Sequence, residues 1–313
     1  MLIMTIGVTL LSGDSQPAKN TIDELVALTR DAADAGLSSA WFAQLFGHDA
    51  IAAAAIAGRE VPGIEVGTSV VPIYPRHPLL VSALAQTAQA ATGGRFSLGV
   101  GLGAKEFLEP VYGIEYPRPI RHLREYLTVL REVFSGRQPD FEGDTVVARP
   151  PFPATVTGSG ELPLIVAALG PQALRVTGEL ADGTLTFLAG PKALSEEIVP
   201  RLVQAAESAG RPSPRVIAAV SVVVTDDVDG ARANAVEKLA FYGDLPSYRR
   251  LLDLEGVSHP ADLTLIGDER EVAAGIQRYF DAGATEVLAS QAVLRSPEER
   301  VRTWGLLGSL PQA

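Results

Sequence analysis

The sequence predicts an α/β fold, a (β/α)8 barrel (TIM barrel) with insertions, and three observations carry the prediction. Eight short, β-branched apolar runs recur along the 313 residues. Helical patterns with recognisable start and stop signals separate them. No low-complexity linker divides the chain, and its length suits one undivided barrel domain over residues 1–313. Strands buried on both faces read as nearly continuous apolar runs, and that is the pattern here. A doubly wound open sheet is the competing architecture, which composition leaves open.

The runs are Ile6–Leu10, Ser39–Ala43, Glu65–Val70, Phe96–Gly101, Leu164–Ala168, Thr184–Leu188, Ile217–Thr225 and Glu286–Ser290. The first lies in the apolar stretch Met1 to Leu11, whose length also suits a signal-peptide core. It has no Lys or Arg, and Gly13-Asp14-Ser15 follows without a small-residue cleavage pattern, so Ile3, Thr5, Ile6, Val8 and Thr9 read as a buried strand and the protein as cytoplasmic. Among the helices, Thr21-Ile22-Asp23-Glu24 reads as a capping box and Gly36 as the stop. Asp49–Ala57 comes next, then Pro78 opens a helix to Ala91 ahead of Gly93-Gly94. His122–Phe134, Pro171–Leu180, Pro191–Ala209, Val228–Tyr242, Glu269–Ala282 and Pro297–Leu307 complete the set. Three irregular inserts break the rhythm, at 103–119, 134–163 and 243–265. The first follows the fourth strand, on the face where barrels carry their chemistry.

Composition excludes several function classes. The chain has no Cys, which removes disulfides, thiolate metal sites and a cysteine nucleophile. Its 26 Lys and Arg against 37 Asp and Glu give a net charge of −11, without a basic run to bind nucleic acid or an anionic membrane. No apolar stretch is free of charge for long enough to span a bilayer.

The C-terminal ends of the predicted strands hold small and apolar residues. They offer no carboxylate pair, no metal-ligand set and no Ser–His–Asp arrangement, so the mouth suits a flat ligand lying against backbone, with chemistry supplied by a cofactor. Gly99-Val100-Gly101-Leu102-Gly103 lacks the helix-opening glycine of a dinucleotide fingerprint, and the next predicted helix starts far downstream. These glycines read instead as a close approach of strand end and loop to another backbone or a ligand. In Ala167-Ala168-Leu169-Gly170-Pro171-Gln172 a buried strand ends in small residues and Gly-Pro opens a helix. Its first amides either receive an anion such as phosphate or are ordinary helix punctuation. His48 lies next to a capping Asp49 just after the second strand. Arg76-His77-Pro78 puts positive groups at a helix start. His122 sits in the basic stretch Arg118–Arg124, read as a solvated or subunit-facing surface, and Phe187, Phe241 and Tyr242 read as core.

Specific strings then resemble a known family. Glu65-Val66-Gly67-Thr68-Ser69-Val70-Val71-Pro72 with Arg76-His77-Pro78, Gly93-Gly94-Arg95-Phe96-Ser97-Leu98-Gly99-Val100-Gly101, Leu162 to Pro171, Ala181-Asp182-Gly183, Ile266-Gly267-Asp268 and Gly283-Ala284 look like the luciferase-like monooxygenase superfamily, in order and over nearly the whole chain. Arg121-His122-Leu123-Arg124-Glu125-Tyr126-Leu127 is similar to its actinobacterial branch using the deazaflavin coenzyme F420. The resemblance implies a barrel binding the deazaflavin at its C-terminal mouth. It implies a bulge after the third strand with a non-prolyl cis peptide at Ser69-Val70, pressing on the middle ring. Leu102-Gly103 would pass beside the rings, while Ala167, Ala168, Gly170 and Pro171, with Gln172 at the helix start, would hold the ribityl-phosphate end. Where the superfamily's sugar-phosphate dehydrogenases carry an acid and a His, this chain has Gln44 and Leu45, and Ala104 replaces their loop acid, so the base and acid of that mechanism are missing.

Gln44 and His48 are thereby left as the catalytic candidates on the substrate side. The expected chemistry is hydride transfer between deazaflavin C5 and a small carbonyl or activated-alkene substrate, with a homodimer as the working form. An FMN-dependent monooxygenase and a non-catalytic deazaflavin-binding relative are the alternatives. Given the net charge of −11, the amides at Gly170–Gln172, with Arg76 or Lys105, must outweigh the acidic background around an anionic cofactor.

Overall fold

A computed structural model describes residues 5–11 and 19–311. Met1 to Met4 of the apolar N-terminal stretch, and Gly13-Asp14-Ser15, lie outside the described residues. The principal strands are β1 (Thr5–Leu10), β2 (Ser39–Phe42), β3 (Glu65–Thr68), β4 (Phe96–Gly101), β5 (Leu164–Ala167), β6 (Gly183–Phe187), β7 (Arg215–Val224) and β8 (Glu286–Ser290). Each matches a predicted run to within two residues at either end, because β-branched and apolar residues buried on both faces define them.

Several helix boundaries differ from expectation, each for a local reason. The first helix, Thr21–Asp34, is capped by Asn20, whose side chain accepts from the amides of Ile22 and Asp23, so Thr21 is already helical and is not the cap. The helix predicted from His122 begins at Pro119, a residue preset for the first helical position. The inserts are more regular than predicted. Lys105–Tyr112 is helical, closed by Gly113 in the left-handed region, and Pro246–Glu255 is helical between Pro246 and Gly256. Phe141–Glu142 and Val147–Ala148 form an antiparallel hairpin. Between Pro191 and Ser208 the helix carries a π-turn over Leu194–Ile198. Phe241 is exposed, whereas Phe187 packs against Tyr242 as expected.

The chain divides into two compact units. The first comprises residues 1–41, 185–200 and 215–313. In it β8 pairs in parallel with β1 and β7, with Thr5 opposite Glu286 and Ile217 also opposite Glu286, and Leu265–Gly267 extends the sheet beyond β7. Val223, Leu239, Leu252 and Val293 anchor an apolar cluster there. A buried polar cluster ties the strand starts together. Glu286, 2% exposed, accepts from Ser39 Oγ at 2.6 Å, from Trp41 Nε1 at 3.2 Å and from Arg215 Nη2 at 2.6 Å. A Cβ at Gly7 would collide with Ser39 Oγ, so glycine is required for Ser39 to reach its partner.

The second unit comprises residues 42–184 and 201–214. Here β4 pairs in parallel with β3 on one side and β5 on the other, bringing Gly101 opposite Ala167. Asp182 accepts from the Leu164 amide at 2.8 Å and from Arg131 and Arg211, fixing the start of β5. The hairpin at 141–148 is latched by buried Glu125, which accepts from the amides of Asp144, Thr145 and Val146, from Thr145 Oγ1 and from Arg121. Burial by itself would raise the Glu125 carboxyl, but the bonds from Thr145, Asp144 and Arg121 outweigh it and hold it down to about 2. No helix among the described residues is long and apolar enough to cross a membrane.

Two outcomes follow for stability. Glu286→Ala should cost about 3 kcal/mol in urea unfolding, since it strands Ser39, Trp41 and Arg215, and Glu286→Gln should cost less. Glu125 has a depressed folded pKa, so its contribution is fully present above about 4.5 and is lost as pH falls toward about 2. An acid-unfolding series should show Glu125→Gln without that component of the pH dependence.

Candidate functional site

The floor of the site forms where β3 loses its register with β4. Gly67 lies opposite Ser97 and Val71 opposite Val100, so the stretch after β3 advances 71 − 67 = 4 residues while β4 advances 100 − 97 = 3. That is a bulge of one residue. It contains the cis peptide Ser69–Val70, at the position the resemblance implies. Thr68 makes the bulge possible by replacing the missing ladder: its Oγ1 donates to Gly99 O at 2.8 Å and accepts from Gly99 N at 2.9 Å. The Ser69 amide donates to Phe42 O at 2.8 Å. A Cβ at Gly99 would overlap the Thr68 carbonyl, and one at Gly101 would sit 2.9 Å from Val70 Cγ2 and 3.2 Å from Ala167 Cβ. The glycines therefore do what the sequence reading assigned them, letting two backbones meet and keeping a smooth shelf between Val70 and Ala167.

Beyond the shelf, Leu102 leads to Gly103 at φ +73°, where a Cβ would also press within 2.7 Å of Leu108. A helix begins two residues later at Lys105, contrary to the expectation of a distant one, but its Ala104 cap offers no side-chain bond and Lys105 pairs with Glu109 at 3.7 Å. A ring stack holds this insert. Tyr74 lies 4.4 Å from Tyr116 and 4.4 Å from His122, Tyr116 Oη donates to Gly103 O at 2.9 Å, and Tyr74 Oη donates to Pro117 O at 2.8 Å. Burial pushes the Tyr74 hydroxyl up to about 12. His122 is thus half-buried in a ring stack, where the sequence reading expected a solvated or subunit-facing surface. Because Thr145 Oγ1 gives its proton to Glu125, it accepts from His122 Nδ1 at 3.1 Å, which leaves Nε2 the unprotonated nitrogen of the neutral ring. Sequence spacing carries no signal for this stack, since its three rings come from separate segments.

At the end of β5, Ala167 and buried Ala168 precede Gly170, the extended cap of helix Pro171–Leu180. Thr184 Oγ1 donates to Val166 O at 2.9 Å and steadies the strand end. No side chain caps this helix, no acidic residue occupies its first turn, and a Cβ at Gly170 would meet nothing within 4 Å. Open space thus adjoins amides that carry the positive end of the helix dipole.

Gln44 and His48 sit in the loop after β2. Gln44 Nε2 donates to the carbonyls of Leu45 at 2.6 Å and His48 at 3.0 Å, while Oε1 accepts from the Ala50 amide and Arg76 Nη2, both at 3.0 Å. Arg76 Nη1 pairs with Asp49 at 2.6 Å. Burial would raise the Asp49 carboxyl, but the Ala52 amide and Arg76 prevail and hold it below its ordinary value. Arg76 and Lys105, expected to offset cofactor charge, are thus engaged with Asp49 and Glu109. His77 caps the helix Pro78–Ala91 and its Nε2 lies 2.9 Å from Val147 O. His48 Nε2 is buried without a partner. Among the described residues no group of three or more His, Asp or Glu could hold a metal.

The family model for luciferase-like monooxygenases matches residues 4–303. A protein of Mycobacterium tuberculosis named as a putative coenzyme F420-dependent oxidoreductase is 28% identical over 254 residues, covering 76% of this chain and 72% of its own. The 5,10-methylenetetrahydromethanopterin reductase of Archaeoglobus fulgidus is 28% identical over 246 residues, 76% of this chain and 71% of its own. The solved coenzyme F420-dependent tetrahydromethanopterin reductase of Methanopyrus kandleri superposes with a TM-score of 0.80 at 21% identity, covering 97% of both chains. The fold is accordingly a (β/α)8 barrel.

Gly99→Ala should lower stability by at least about 2 kcal/mol in urea unfolding, because backbone, not a mobile side chain, opposes the methyl. Gly47→Ala, where a Cβ meets nothing within 4 Å, should stay within about 0.5 kcal/mol of the unaltered protein.

Proposed function

This chain belongs to the luciferase-like monooxygenase family, and on that footing we propose that it is a coenzyme F420-dependent oxidoreductase moving a hydride between deazaflavin C5 and a carbonyl or activated-alkene carbon of a small organic molecule. The observation that carries the reading is the cradle running from the Val70–Gly101–Ala167 shelf to the uncapped helix start at Gly170. It is smooth where a flat ring system needs backbone contact and electropositive where a phosphate needs amides. The F420-dependent name of the Mycobacterium tuberculosis relative points the same way.

In this reading Ser69, Val70, Leu102 and Gly103 flank the rings, and Ala167, Ala168, Gly170, Pro171 and Gln172 hold the ribityl-phosphate end. Bound there, the deazaflavin supplies a carbon that gives or takes two electrons as hydride. The protein aligns donor and acceptor and excludes water, the latter through the stacked insert over Gly103. Gln44, with its amide spent on the loop, positions His48, and His48 Nε2 holds the proton that a reduced substrate requires. The amides of Gln172 and Ala173 answer the phosphate charge, since Arg76 and Lys105 are paired with Asp49 and Glu109. We further read the protein as a cytoplasmic homodimer, a form to which Ile56, Leu80 and Leu84, exposed on two helices, could contribute.

Titration of the purified protein with F420 and with FMN, followed by cofactor fluorescence, tests the reading. F420 should bind at least about tenfold more tightly than FMN. The reverse order would support the FMN-dependent monooxygenase instead, and binding of neither would leave a non-catalytic relative. Gly170→Asp places a carboxylate where it caps the helix, so it should weaken F420 binding at least about tenfold while leaving the melting temperature equal or higher. His48→Ala should lower turnover at least about tenfold while leaving F420 binding unchanged, and unchanged turnover would dismiss His48 as the proton donor.

A further inference from the structure

The loop after β2 and the end of helix Lys105–Tyr112 enclose a cleft lined by Gln44, Leu45, Phe46, His48, Arg76 and Tyr112 among others. Its lining mixes polar groups with three large side chains that stay uncovered. Leu45, Phe46 and Tyr112 remain 48%, 61% and 41% exposed, and the Phe46 and Tyr112 rings lie 6.2 Å apart at 45°. Apolar side chains gathered on a concave surface beside a cradle of this kind mark a ligand site. The polar groups of the same cleft are nearly all committed. Arg76, the one cation among these lining residues, is neutralised by Asp49 at 2.6 Å and bonded to Gln44 at 3.0 Å. Both ends of the Gln44 amide serve the loop. What is left is His48 Nε2, buried and without a partner, and the hydroxyl of part-exposed Tyr112.

We infer that this cleft takes an uncharged, mainly apolar molecule bearing one hydrogen-bonding oxygen, such as a ketone or enone, and discriminates against carboxylates and phosphates. An anion leaving water needs an unpaired cation or several free donors to replace its hydration, and the cleft offers neither. A carbonyl oxygen needs a single donor, which the unengaged Tyr112 hydroxyl supplies at the cleft surface, while the side chains of Leu45, Phe46 and Tyr112 recover area from water as the carbon skeleton settles. Asp49 is the discriminating residue, because its carboxylate keeps Arg76 from answering an anion. The inference rests on the proposed hydride transfer only in placing the substrate here.

The test uses the full chain, with and without bound F420, and two probes, cyclohexanone and 4-oxocyclohexane-1-carboxylate, followed by ligand-observed saturation-transfer NMR. Cyclohexanone should bind at least about tenfold more tightly than the carboxylate. Tyr112→Ser and Phe46→Ser, both at exposed positions, should each weaken cyclohexanone at least about threefold. Asp49→Asn keeps a side-chain oxygen for the Ala52 amide and so keeps the helix cap, while releasing Arg76. It should narrow the preference at least about tenfold through tighter carboxylate binding. Equal or tighter carboxylate binding by the unaltered chain, no binding of either probe, or a preference unmoved by Asp49→Asn would overturn the inference. Selective ketone binding without F420 binding would overturn the proposed function alone, whereas F420 binding without ketone selectivity would overturn this inference alone.

Discussion

At Gly99 the fourth strand runs so close to the third that no side-chain carbon fits against the Thr68 carbonyl, and the candidate site is built on that approach. Thr68 uses one hydroxyl to satisfy both the amide and the carbonyl of Gly99. This frees the chain to insert an extra residue without leaving buried backbone groups unpaired. Ser69 and Val70 occupy the insertion, Val71 and Pro72 regain the pairing, and Val70 comes to rest over Gly101 beside Ala167. One backbone contact thus sets the height and smoothness of the shelf.

Charge is distributed to the same end. The chain carries 26 basic and 37 acidic residues, yet the basic residues near strands are occupied by structural work. Arg215 serves Glu286, Arg131 and Arg211 serve Asp182, Arg121 serves Glu125, and Arg76 serves Asp49. The first three sets lie at strand starts or at the hairpin, where carboxylates organise backbone. The last lies in the loop after β2, where Asp49 leaves Arg76 without a free charge. At the candidate site, electropositive character that is still open belongs to helix amides at Gly170 and beyond, which suits a phosphate. An enzyme with this allocation depends on its cofactor for the reactive atom.

The strands were legible because burial on both faces leaves a continuous apolar signature, and Leu164–Ala167 or Phe96–Gly101 need no context to be read. Punctuation was read less evenly. Pro171 and Pro78 announced their helices, while Asn20 was passed over for Thr21 although either residue type can cap. The helices Lys105–Tyr112 and Pro246–Glu255 were missed because Gly and Pro nearby suggested loops. Those same residues in fact bound the helices, Gly113 and Gly256 adopting the left-handed region at their ends.

By itself, the sequence determined the alternation of strand and helix, the absence of thiol chemistry, the glycines of β4 and the Gly-Pro helix start at the end of β5. These depend on residue type and near neighbours, which is what a linear pattern records. Tertiary structure alone decided which groups remain available. It spent Arg76 on Asp49 and Gln44, packed His122 between Tyr74 and Tyr126, and left His48 Nε2 without a partner and the Gly170 helix start without a side-chain cap. Availability is a sum over contacts between distant segments, and no spacing along one chain encodes it.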